Sequence, residues 1–567
     1  MAGNAAEAAD AAKAEGNAAF KEKRYPAAVE AYSRAIALSP SAALYGNRAF
    51  ANLRMENFGS AIADATEALG LDKGYAKAYY RRAEANFLLG HYKQAVGDFR
   101  AAARLAPKDP DLRRKLALAE RELKRARFEA ALSCPELERS VCDEIHLDDI
   151  IVESDYDGIT MQEATQQEEE KDKDAKKEEK GEAPGATKKE EKGEEKGEAP
   201  GATKKEEKGE EKGATKKEEK EGATTVAVSS SGALSAFPVV SPPASKYVLT
   251  RDFVLRMLET FKAGKQIHKR FAYEIVLRAR LALRALPAVV DVPVPRGRRI
   301  TVCGDVHGQF FDLLRIFELN GLPDSRENPY LFNGDFVDRG SWSCEVVLVL
   351  LAFHVADPGS VYLARGNHEA RSMNAVYGFN GEVKHKFGAR LVECFRETFC
   401  ALPLAHVLGE KVLVLHGGLF ASDDVTLADL RAVDRFREPP ESGPMCDALW
   451  SDPDPAQGRS PNKRGVGVAF GPDVTKRFLE KENLQLLVRS HEVKEEGYEV
   501  AHDGYCVTVF SAPNYCDQAG NKGAWITFKG DTDMEPEFTT FEAAPHPNIP
   551  PMRYTEMGGL GGMMGGF

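Results

Sequence analysis

Apolar residues recur with a helical period between residues 9 and 109, and they form three similar blocks. The run that begins at Arg24 has counterparts 33 residues later at Asn57 and a further 34 residues on at His91. Small residues at helix contacts, with aromatic residues between them and a period near 34, are typical of stacked helix-turn-helix repeats. An amphipathic pattern from Asp111 to Leu132 then predicts a helix that caps the array. Residues 1–132 are therefore predicted to form an all-α solenoid.

This pattern resembles three tetratricopeptide repeats, and the first helices of the repeats share a set of polar positions. Lys13 lies four residues before Asn17, and Lys77 lies four residues before Arg81, so each pair shares a helix face. Asn47 holds the position in the second repeat that Asn17 holds in the first. Three cations and two amides on a concave surface suit the terminal carboxylate and an acidic side chain of a peptide. The alternative interpretation is a solvated basic face.

The same five residues match the carboxylate clamp of repeat domains that hold the Glu-Glu-Val-Asp tail of the ninety-kilodalton heat-shock chaperone. Its seventy-kilodalton relative carries the same tail and is a second candidate. The resemblance implies that the N-terminal domain binds such a tail.

A strongly charged segment separates the solenoid from the rest of the chain. Residues 133–167 are acidic and weakly patterned, and we interpret them as a connector. From Glu168 to Glu221 there are 20 acidic and 16 basic residues, with no aromatic residue and no Val, Ile, Leu or Met. Such a composition cannot bury enough apolar area to offset the entropy of ordering, so residues 168–245 are predicted to be a disordered linker.

Helical periodicity returns at Thr250, and apolar strand-like runs then alternate with helical ones to about residue 550. This alternation predicts an α/β domain over residues 246–550. A tail rich in Gly and Met follows at 551–567. The side chains expected to be buried in the first helices are Phe253, Met257, Leu258, Phe261, Ile267, Phe271, Ile275 and Leu283.

Five strand-like runs of this domain each end in a block that contains Asp, Asn or His. Open α/β sheets gather their sites at the carboxyl ends of strands. Oxygen and nitrogen side chains of this kind suit divalent metals, and five such blocks are hard to explain without metal. The blocks are Gly304-Asp305-Val306-His307-Gly308, Gly334 to Gly340, Gly366-Asn367-His368-Glu369, His416-Gly417-Gly418 and Ser490-His491-Glu492.

Composition narrows the class of protein. A formal net charge of −12 argues against general nucleic-acid binding, and no run of about 18 apolar residues predicts a membrane helix. Nine Cys without pairing logic fit a reducing compartment, and the acidic N-terminus has no secretory pattern. We expect a monomer of the cytoplasm, with the nucleus as a second compartment.

The strand-end blocks, in this order, resemble the serine/threonine phosphoprotein phosphatase family throughout Ile300 to Lys529. Ser511 to Cys516 behind them, and the repeats in front, point to the branch with N-terminal tetratricopeptide repeats. The resemblance implies a metallophosphatase domain in which a central β-sandwich is flanked by helices. It also implies hydrolysis of phosphoserine and phosphothreonine in proteins by a hydroxide that bridges two divalent metal ions.

Carried onto matching positions, the family's roles give two metals, Mn, Fe or Zn with Mg as a further candidate. One would be held by Asp305, His307 and Asp335, and the other by Asp335, Asn367, His416 and His491. His368 would be the general acid, oriented by Asp338. Phosphate would be bound by Arg339, Arg464 and Asn367, and Tyr515 would overhang the substrate cleft.

In this family the repeat domain shields the catalytic cleft. Glu56, at the turn of the second repeat, matches a contact that could lie against the cleft; a solvated turn glutamate is the alternative. Two other functions stay open at this point. One is a nucleotide polyphosphatase or phosphodiesterase with the same metal site, and the other is a non-catalytic co-chaperone adaptor.

Overall fold

The computed structural model describes residues 2–131, 140–163 and 245–555. The predicted disordered linker lies outside the described residues, apart from Ser245. Of the Gly/Met-rich tail, only residues 551–555 are described. Within the described ranges, no helix combines the length and apolar content that a membrane span needs.

The N-terminal part is the predicted repeat solenoid. Each repeat contributes two antiparallel helices, and a longer helix covers the last pair. Ala28, Ala61 and Ala95 lie at the same register of the three repeats and are completely buried, so the helices can approach closely. The seven helices are α1 (Ala2–Lys21), α2 (Tyr25–Leu38), α3 (Ala42–Arg54), α4 (Phe58–Leu71), α5 (Ala76–Leu88), α6 (Tyr92–Leu105) and α7 (Pro110–Ala131).

The predicted α/β domain begins with two amphipathic helices, Arg251–Lys262 and Lys269–Arg284. All eight apolar side chains predicted to be buried there are buried. The other helices of the domain surround its sheets. They are Phe310–Asn320, Ser343–Ala356, Arg371–Tyr377, Phe379–Lys386, Ala389–Ala401, Leu427–Arg431, Pro444–Trp450, Pro472–Lys481 and Tyr515–Gln518, with 3-10 turns at Leu147–Asp149 and His502–Gly504.

The strands form two large sheets and two small ones. The strands are β1 (Gln162–Glu163), β2 (Tyr247–Val248), β3 (Val289–Val292), β4 (Arg299–Cys303), β5 (Tyr330–Phe332), β6 (Val361–Leu363), β7 (Ala405–Leu408), β8 (Val412–Leu415), β9 (Asp452–Pro453), β10 (Arg459–Pro461), β11 (Val468–Phe470), β12 (Leu486–Arg489), β13 (Tyr498–Ala501), β14 (Cys506–Val509), β15 (Gly523–Lys529) and β16 (Glu537–Phe541). The five strand-like runs predicted before the Asp-, Asn- and His-containing blocks are β4, β5, β6, β8 and β12.

The two large sheets share one apolar core. Their strand orders are β13-β14-β12-β8-β7-β3 and β16-β15-β4-β5-β6. Side chains of both sheets, such as Val302 and Val414, belong to the same buried cluster. The sheets also meet at one end, where Asp305 forms a parallel bridge with Phe510. The central β-sandwich flanked by helices that the sequence predicts is confirmed.

Residues 140–163, predicted as a connector, pack onto the phosphatase domain. Cys142, Leu147 and Met161 are buried in its main core. Strand β1 of this segment pairs antiparallel with β2, so it is built into the domain it precedes. At the other end, residues 551–555 lie beyond the predicted boundary at 550 but also pack on the domain, since the Met552 amide donates to the Arg339 carbonyl at 2.8 Å.

Candidate active site

The strand-end side chains come from both large sheets. Asp305 and His307 follow β4, Asp335 and Asp338 follow β5, and Asn367 and His368 follow β6, all in the five-stranded sheet. His416 follows β8 and His491 follows β12, in the six-stranded sheet. The site therefore lies where the carboxyl ends of the two sheets meet.

Several of these loops adopt backbone conformations that side-chain-bearing residues rarely occupy. A positive φ costs free energy at a non-glycine residue, and such strain is concentrated at functional sites. Backbone contacts hold the loops in place, because the Asp335 carbonyl accepts from the amides of Val306 and His307 at 3.1 and 2.9 Å. The φ angles are +42° at His307, +49° at Asp335, +69° at Asp338 and Arg339, and +72° at His491.

Six side chains with metal-binding atoms converge where the two sheets meet. His416 Nε2 lies 2.9 Å from Asn367 Oδ1, 3.2 Å from His491 Nδ1 and 3.4 Å from Asp335 Oδ2. All of these side chains are buried. On the other side of Asp335, His307 Nε2 lies 3.5 Å from Asp335 Oδ2 and 3.8 Å from Asp305 Oδ2.

The hydrogen bonds of the imidazoles tell which ring nitrogens face the cluster. His416 Nδ1 lies 2.8 Å from the Asn333 carbonyl, and His307 Nδ1 lies 3.0 Å from the Val337 carbonyl. These bonds place the ring proton on Nδ1, so each Nε2 directs a lone pair at carboxylate or amide oxygens. Lone pairs that face one another repel unless a cation lies between them. The donor set of imidazoles, carboxylates and one amide therefore fits divalent transition metals.

The pKa shifts within the cluster also suit a site for positively charged ions. Burial raises the pKa of Asp305 to about 7 and lowers the pKa of His307 to about 3. Burial also opposes ionisation of Asp335, but the neighbouring imidazoles outweigh it and lower the pKa of this carboxyl. For His416, burial disfavours the charged ring, yet Asp335 outweighs burial and raises the pKa. Asp335 is thus the point toward which positive charge is drawn.

His368 is held apart from this set by a different network. Its Nδ1 lies 2.9 Å from Asp338 Oδ2, and its backbone amide donates to Asp335 Oδ1 at 2.9 Å. The Asn374 amide donates to both Asp338 Oδ2 and the His368 carbonyl, at 2.9 and 2.7 Å. With Nδ1 occupied by Asp338, His368 presents Nε2 to the cleft. Although His368, His307 and Asp335 have atoms close enough to share an ion, this pairing favours a proton-carrying role.

Two arginines and His368 converge on one carboxylate, that of Glu56 from the repeat domain. Arg339 donates to Glu56 Oε1, and His368 Nε2 lies 3.4 Å from the same oxygen. Arg464 lies 3.9 Å from Glu56 Oε2. Glu56 is only 9% exposed, so the solvated-turn alternative is wrong. The pocket beside the ligand cluster is therefore an anion site, and here a carboxylate occupies it.

The two arginines are held by further contacts. Burial disfavours the charge of Arg464, but Asp452 outweighs it and raises the pKa of the guanidinium. Arg464 Nε donates to Asp452 Oδ2 at 2.6 Å. The guanidinium of Arg339 stacks on Tyr377, 3.9 Å from the ring centre. The Tyr515 ring lies 5.1 Å from the His307 ring.

The repeat domain also contacts the phosphatase domain beyond Glu56. The Ser60 amide donates to the Lys463 carbonyl at 3.0 Å. Phe58, completely buried, packs edge-on against Trp450 with 6.4 Å between ring centres. The turn between α3 and α4 is thus seated on the loop that carries Arg464.

The five residues predicted to form the peptide clamp lie on helices α1, α3 and α5. Asn47 Nδ2 lies 3.4 Å from Asn17 Oδ1 across two repeats. Burial and nearby Arg81 lower the pKa of Lys77. Arg81 itself is only 9% exposed. Lys13 lies one turn before Asn17 on α1, half-buried.

Sequence reasoning missed three residues that organise the site. Asp452 holds both Arg464 and Arg489, whose Nη2 donates to Asp452 Oδ1 at 2.9 Å. Asn374 braces His368, and the Asn333 carbonyl orients His416. The strand-end rule does not select them as side chains, because Asp452 follows a helix, Asn374 lies within one, and Asn333 acts through its backbone.

Three family models match parts of this chain. The family model for calcineurin-like phosphoesterases matches residues 298–495. A second model, for the PPP5 TPR repeat region, matches residues 116–176 and 223–291, and a tetratricopeptide-repeat model matches residues 76–109.

Similarity extends along nearly the whole chain. Serine/threonine-protein phosphatase 5 of Arabidopsis thaliana is 49% identical over 549 residues, 96% of this chain and 95% of that protein. The Homo sapiens protein of the same name is 43% identical over 547 residues, 96% of this chain and 93% of that protein. Among solved structures, a serine/threonine phosphatase from Saccharomyces cerevisiae with similarity to human phosphatase PP5 is 41% identical, with a TM-score of 0.52. It covers 54% of this chain and 100% of its own.

Proposed function

The chain belongs to the serine/threonine-protein phosphatase 5 family and is a protein-serine/threonine phosphatase, and on this premise we propose how its residues divide the reaction. The observation that carries the proposal is the anion site. Arg339, Arg464 and His368 Nε2 surround one carboxylate directly beside the ligand cluster. A phosphoryl group needs these same partners, which are two guanidinium forks and one proton donor.

The ligand cluster would hold two divalent metal ions, Mn, Fe, Zn or Mg. When bound, such a pair lowers the pKa of a shared water and neutralises charge on phosphoryl oxygens. The first ion would be held by Asp305, His307 and Asp335. The second would be held by Asp335, Asn367, His416 and His491.

His368 would protonate the departing serine or threonine oxygen through Nε2. The Asp338 carboxylate stabilises the charged imidazole through Nδ1 and fixes the ring orientation. Arg339 and Arg464 would bind the phosphoryl oxygens, and Asn367 would share in that binding. The Tyr515 ring would limit access at the rim of the cleft.

One assay tests this proposal against the two alternatives. The full chain, supplied with Mn²⁺, is offered a phosphoserine peptide or a nucleotide polyphosphate. We expect turnover of the peptide, and a fall of about 10²- to 10⁴-fold in His368→Asn, the size of a lost general acid. The metal content of the variant should be unchanged. Preference for the nucleotide would favour a polyphosphatase, and no turnover of either substrate would favour a co-chaperone adaptor.

The repeat domain would repress the enzyme in the docked arrangement. Glu56 supports this, because its carboxylate contacts the groups assigned to phosphate and to the leaving oxygen. Substrate and Glu56 would then compete for Arg339, so turnover would require the α3–α4 turn to leave the cleft.

The partner of the repeat domain would be the Glu-Glu-Val-Asp tail of the ninety-kilodalton chaperone or of its seventy-kilodalton relative. The contact between Asn17 and Asn47 and the closeness of Lys77 to Arg81 support a shared carboxylate site. Calorimetry with a Glu-Glu-Val-Asp peptide should detect binding to the full chain and weaker binding to Lys77→Ala. Lys73→Ala, at an exposed turn in front of α5, is the matched control. Equal binding by all three proteins would remove the clamp from the account.

A further inference from the structure

The loop that carries Arg464 is preceded by a four-residue pattern that occurs once in the chain. In Ser460-Pro461-Asn462-Lys463, a proline directly follows the serine, and a lysine lies three residues after the serine. The chain has two other Ser-Pro pairs, which begin at Ser39 and Ser241, and each has an alanine at the third position. Proline-directed protein kinases read the residue directly after the acceptor and favour a cation at the third. Only the pair at Ser460 offers both.

The side chains that such a kinase reads are the accessible ones. Ser460, Pro461 and Lys463 are exposed. Asn462 is buried, and its amide donates to the Trp450 carbonyl at 3.0 Å. Asn462, which lies between the two recognised positions, therefore anchors the loop. The acceptor Ser460 and the recognised Pro461 and Lys463 face solvent.

The backbone at Ser460 is already extended. Ser460 is the middle residue of β10, which lies at one edge of the sheet ordered β10-β11-β9. It pairs with Ala469 of β11 on one side only. A proline is tolerated on such an edge, and an edge strand presents its free side to another protein. An extended acceptor segment can be read there without unfolding the sheet.

We propose that Ser460 is a phosphorylation site for a proline-directed kinase, and that a phosphate there loosens the contact between the repeat domain and the loop that carries Arg464. Ser460 Oγ attacks the γ-phosphorus of ATP, the bond from that phosphorus to the β–γ bridging oxygen breaks, and ADP leaves. The serine proton passes to the catalytic carboxylate of the kinase. The product carries about −1.5 to −2 charge where the chain now carries none.

The structural consequence follows from what lies beside Ser460. The Lys463 carbonyl accepts the Ser60 amide of the repeat domain, and the Lys463 ammonium pairs with Glu492 at 3.0 Å. A Cβ on Gly59 would lie 2.6 Å from the Gly465 Cα, so the two backbones are in direct contact. A phosphate three residues from Lys463 attracts that ammonium away from Glu492. The resulting movement of the loop disturbs the close backbone contact between Gly59 and Gly465.

The site itself is tested by labelling the full chain with ATPγS and a proline-directed kinase. The thiophosphate resists removal by the chain's own activity, and mass spectrometry locates it. We expect stoichiometric label at Ser460, none in Ser460→Ala or Pro461→Ala, and unchanged label in the matched control Ser39→Ala. Label that persists in Ser460→Ala, or that favours Ser39, would overturn the proposal.

The loosening of this contact rests on the proposed repression by Glu56. The following experiment distinguishes a failure of the loosening from a failure of the repression. Turnover of a small phosphoester is compared for the labelled chain, the unlabelled chain and unlabelled Glu56→Ala. We expect a rise of about fivefold on labelling, the effect of losing one net hydrogen bond from the docked state. If Glu56→Ala is faster but the labelled chain is not, the loosening is wrong and repression stands. If Glu56→Ala is no faster, the proposed repression fails, and label at Ser460 alone supports the site.

Discussion

Glu56 lies at a left-handed turn position, with φ of +59°, between α3 and α4. The turn is held by the Asn57 amide, which donates to the Asn52 carbonyl at 2.9 Å. This backbone costs free energy that a glycine would avoid, and it directs the carboxylate into the cleft, where Arg339 binds it. A single residue of the repeat domain thus contacts the groups assigned to phosphate binding and to proton transfer.

Replacing Glu56 by alanine should raise basal turnover of a small phosphoester by the full chain. The docked state loses about 1–2 kcal/mol and leaves Arg339 without its partner, which corresponds to about a five- to thirtyfold shift toward the open state. Steady-state kinetics without peptide measures the change. The matched control is Glu67→Ala, an exposed glutamate on α4. Equal basal rates for Glu56→Ala and the parent would exclude Glu56 as the repressing group.

Asp452 is a positioning residue that acts through Arg464. It is 3% exposed and accepts hydrogen bonds from Arg464 and Arg489, so Asp452→Asn weakens a buried charge pair. We expect KM for a phosphoserine peptide to rise about tenfold, with a smaller change in kcat, because Arg464 loses its orientation. The exposed Asp503→Asn is the control. A lower Tm with unchanged KM would show that Asp452 only stabilises the fold.

At the scale of elements, the segment 140–163 is a built-in part of the phosphatase domain. Glu397 of the helix Ala389–Ala401 binds its start, accepting from Ser140 Oγ at 2.5 Å and from the Val141 amide at 2.7 Å. Arg280 joins the same carboxylate at 3.0 Å. The connector is therefore tied to two helices before it reaches β1.

Glu397→Ala should destabilise the phosphatase domain. Losing the carboxylate leaves the Val141 amide and the largely buried Arg280 without this partner, and we expect a cost of about 1–3 kcal/mol. Urea unfolding, followed by tryptophan fluorescence, measures the loss. Glu144→Ala, an exposed change in the same segment, should stay within about 0.5 kcal/mol of the parent. A stability equal to the parent's would mean that the connector rests on its apolar contacts alone.

At the scale of the molecule, the ligand cluster joins the two sheets. Asp305, Asp335 and Asn367 come from one sheet, and His416 and His491 come from the other. A cation held between them would bind the folded chain and not the unfolded one. A bound cation would therefore also stabilise the packing of the two sheets.

Removing divalent metal from the full chain should lower Tm, and added Mn²⁺ should restore it. A ligand at a thousand times its Kd adds about 4 kcal/mol to the free energy of unfolding. Calorimetry with and without a chelator measures this. Asp335→Asn should abolish the Mn²⁺-dependent shift, whereas His368→Asn should keep it. A shift that survives in Asp335→Asn would place the metal elsewhere.

Local sequence patterns were sufficient to predict many of the helices and strands of this protein. The 33- and 34-residue spacing predicted the solenoid, and the apolar runs before Asp305, Asp335 and Asn367 predicted the strands that carry them. These features are readable because helix and strand periodicity, and the residues that end a strand, depend on neighbours in sequence. The strand-end rule also selected the side chains from which the candidate site is assembled.

Other features depend on contacts between distant residues, and no local pattern records them. The burial of Glu56 between Arg339 and Arg464, the role of Asp452 and the docking of residues 140–163 all join segments far apart in the chain. Arg81 matched a clamp position in sequence, yet its neighbours in space bury it. The order of residues was enough to predict which strand ends supply the candidate site, whereas the contacts among those side chains depend on packing and electrostatics, which act through space and not along the chain.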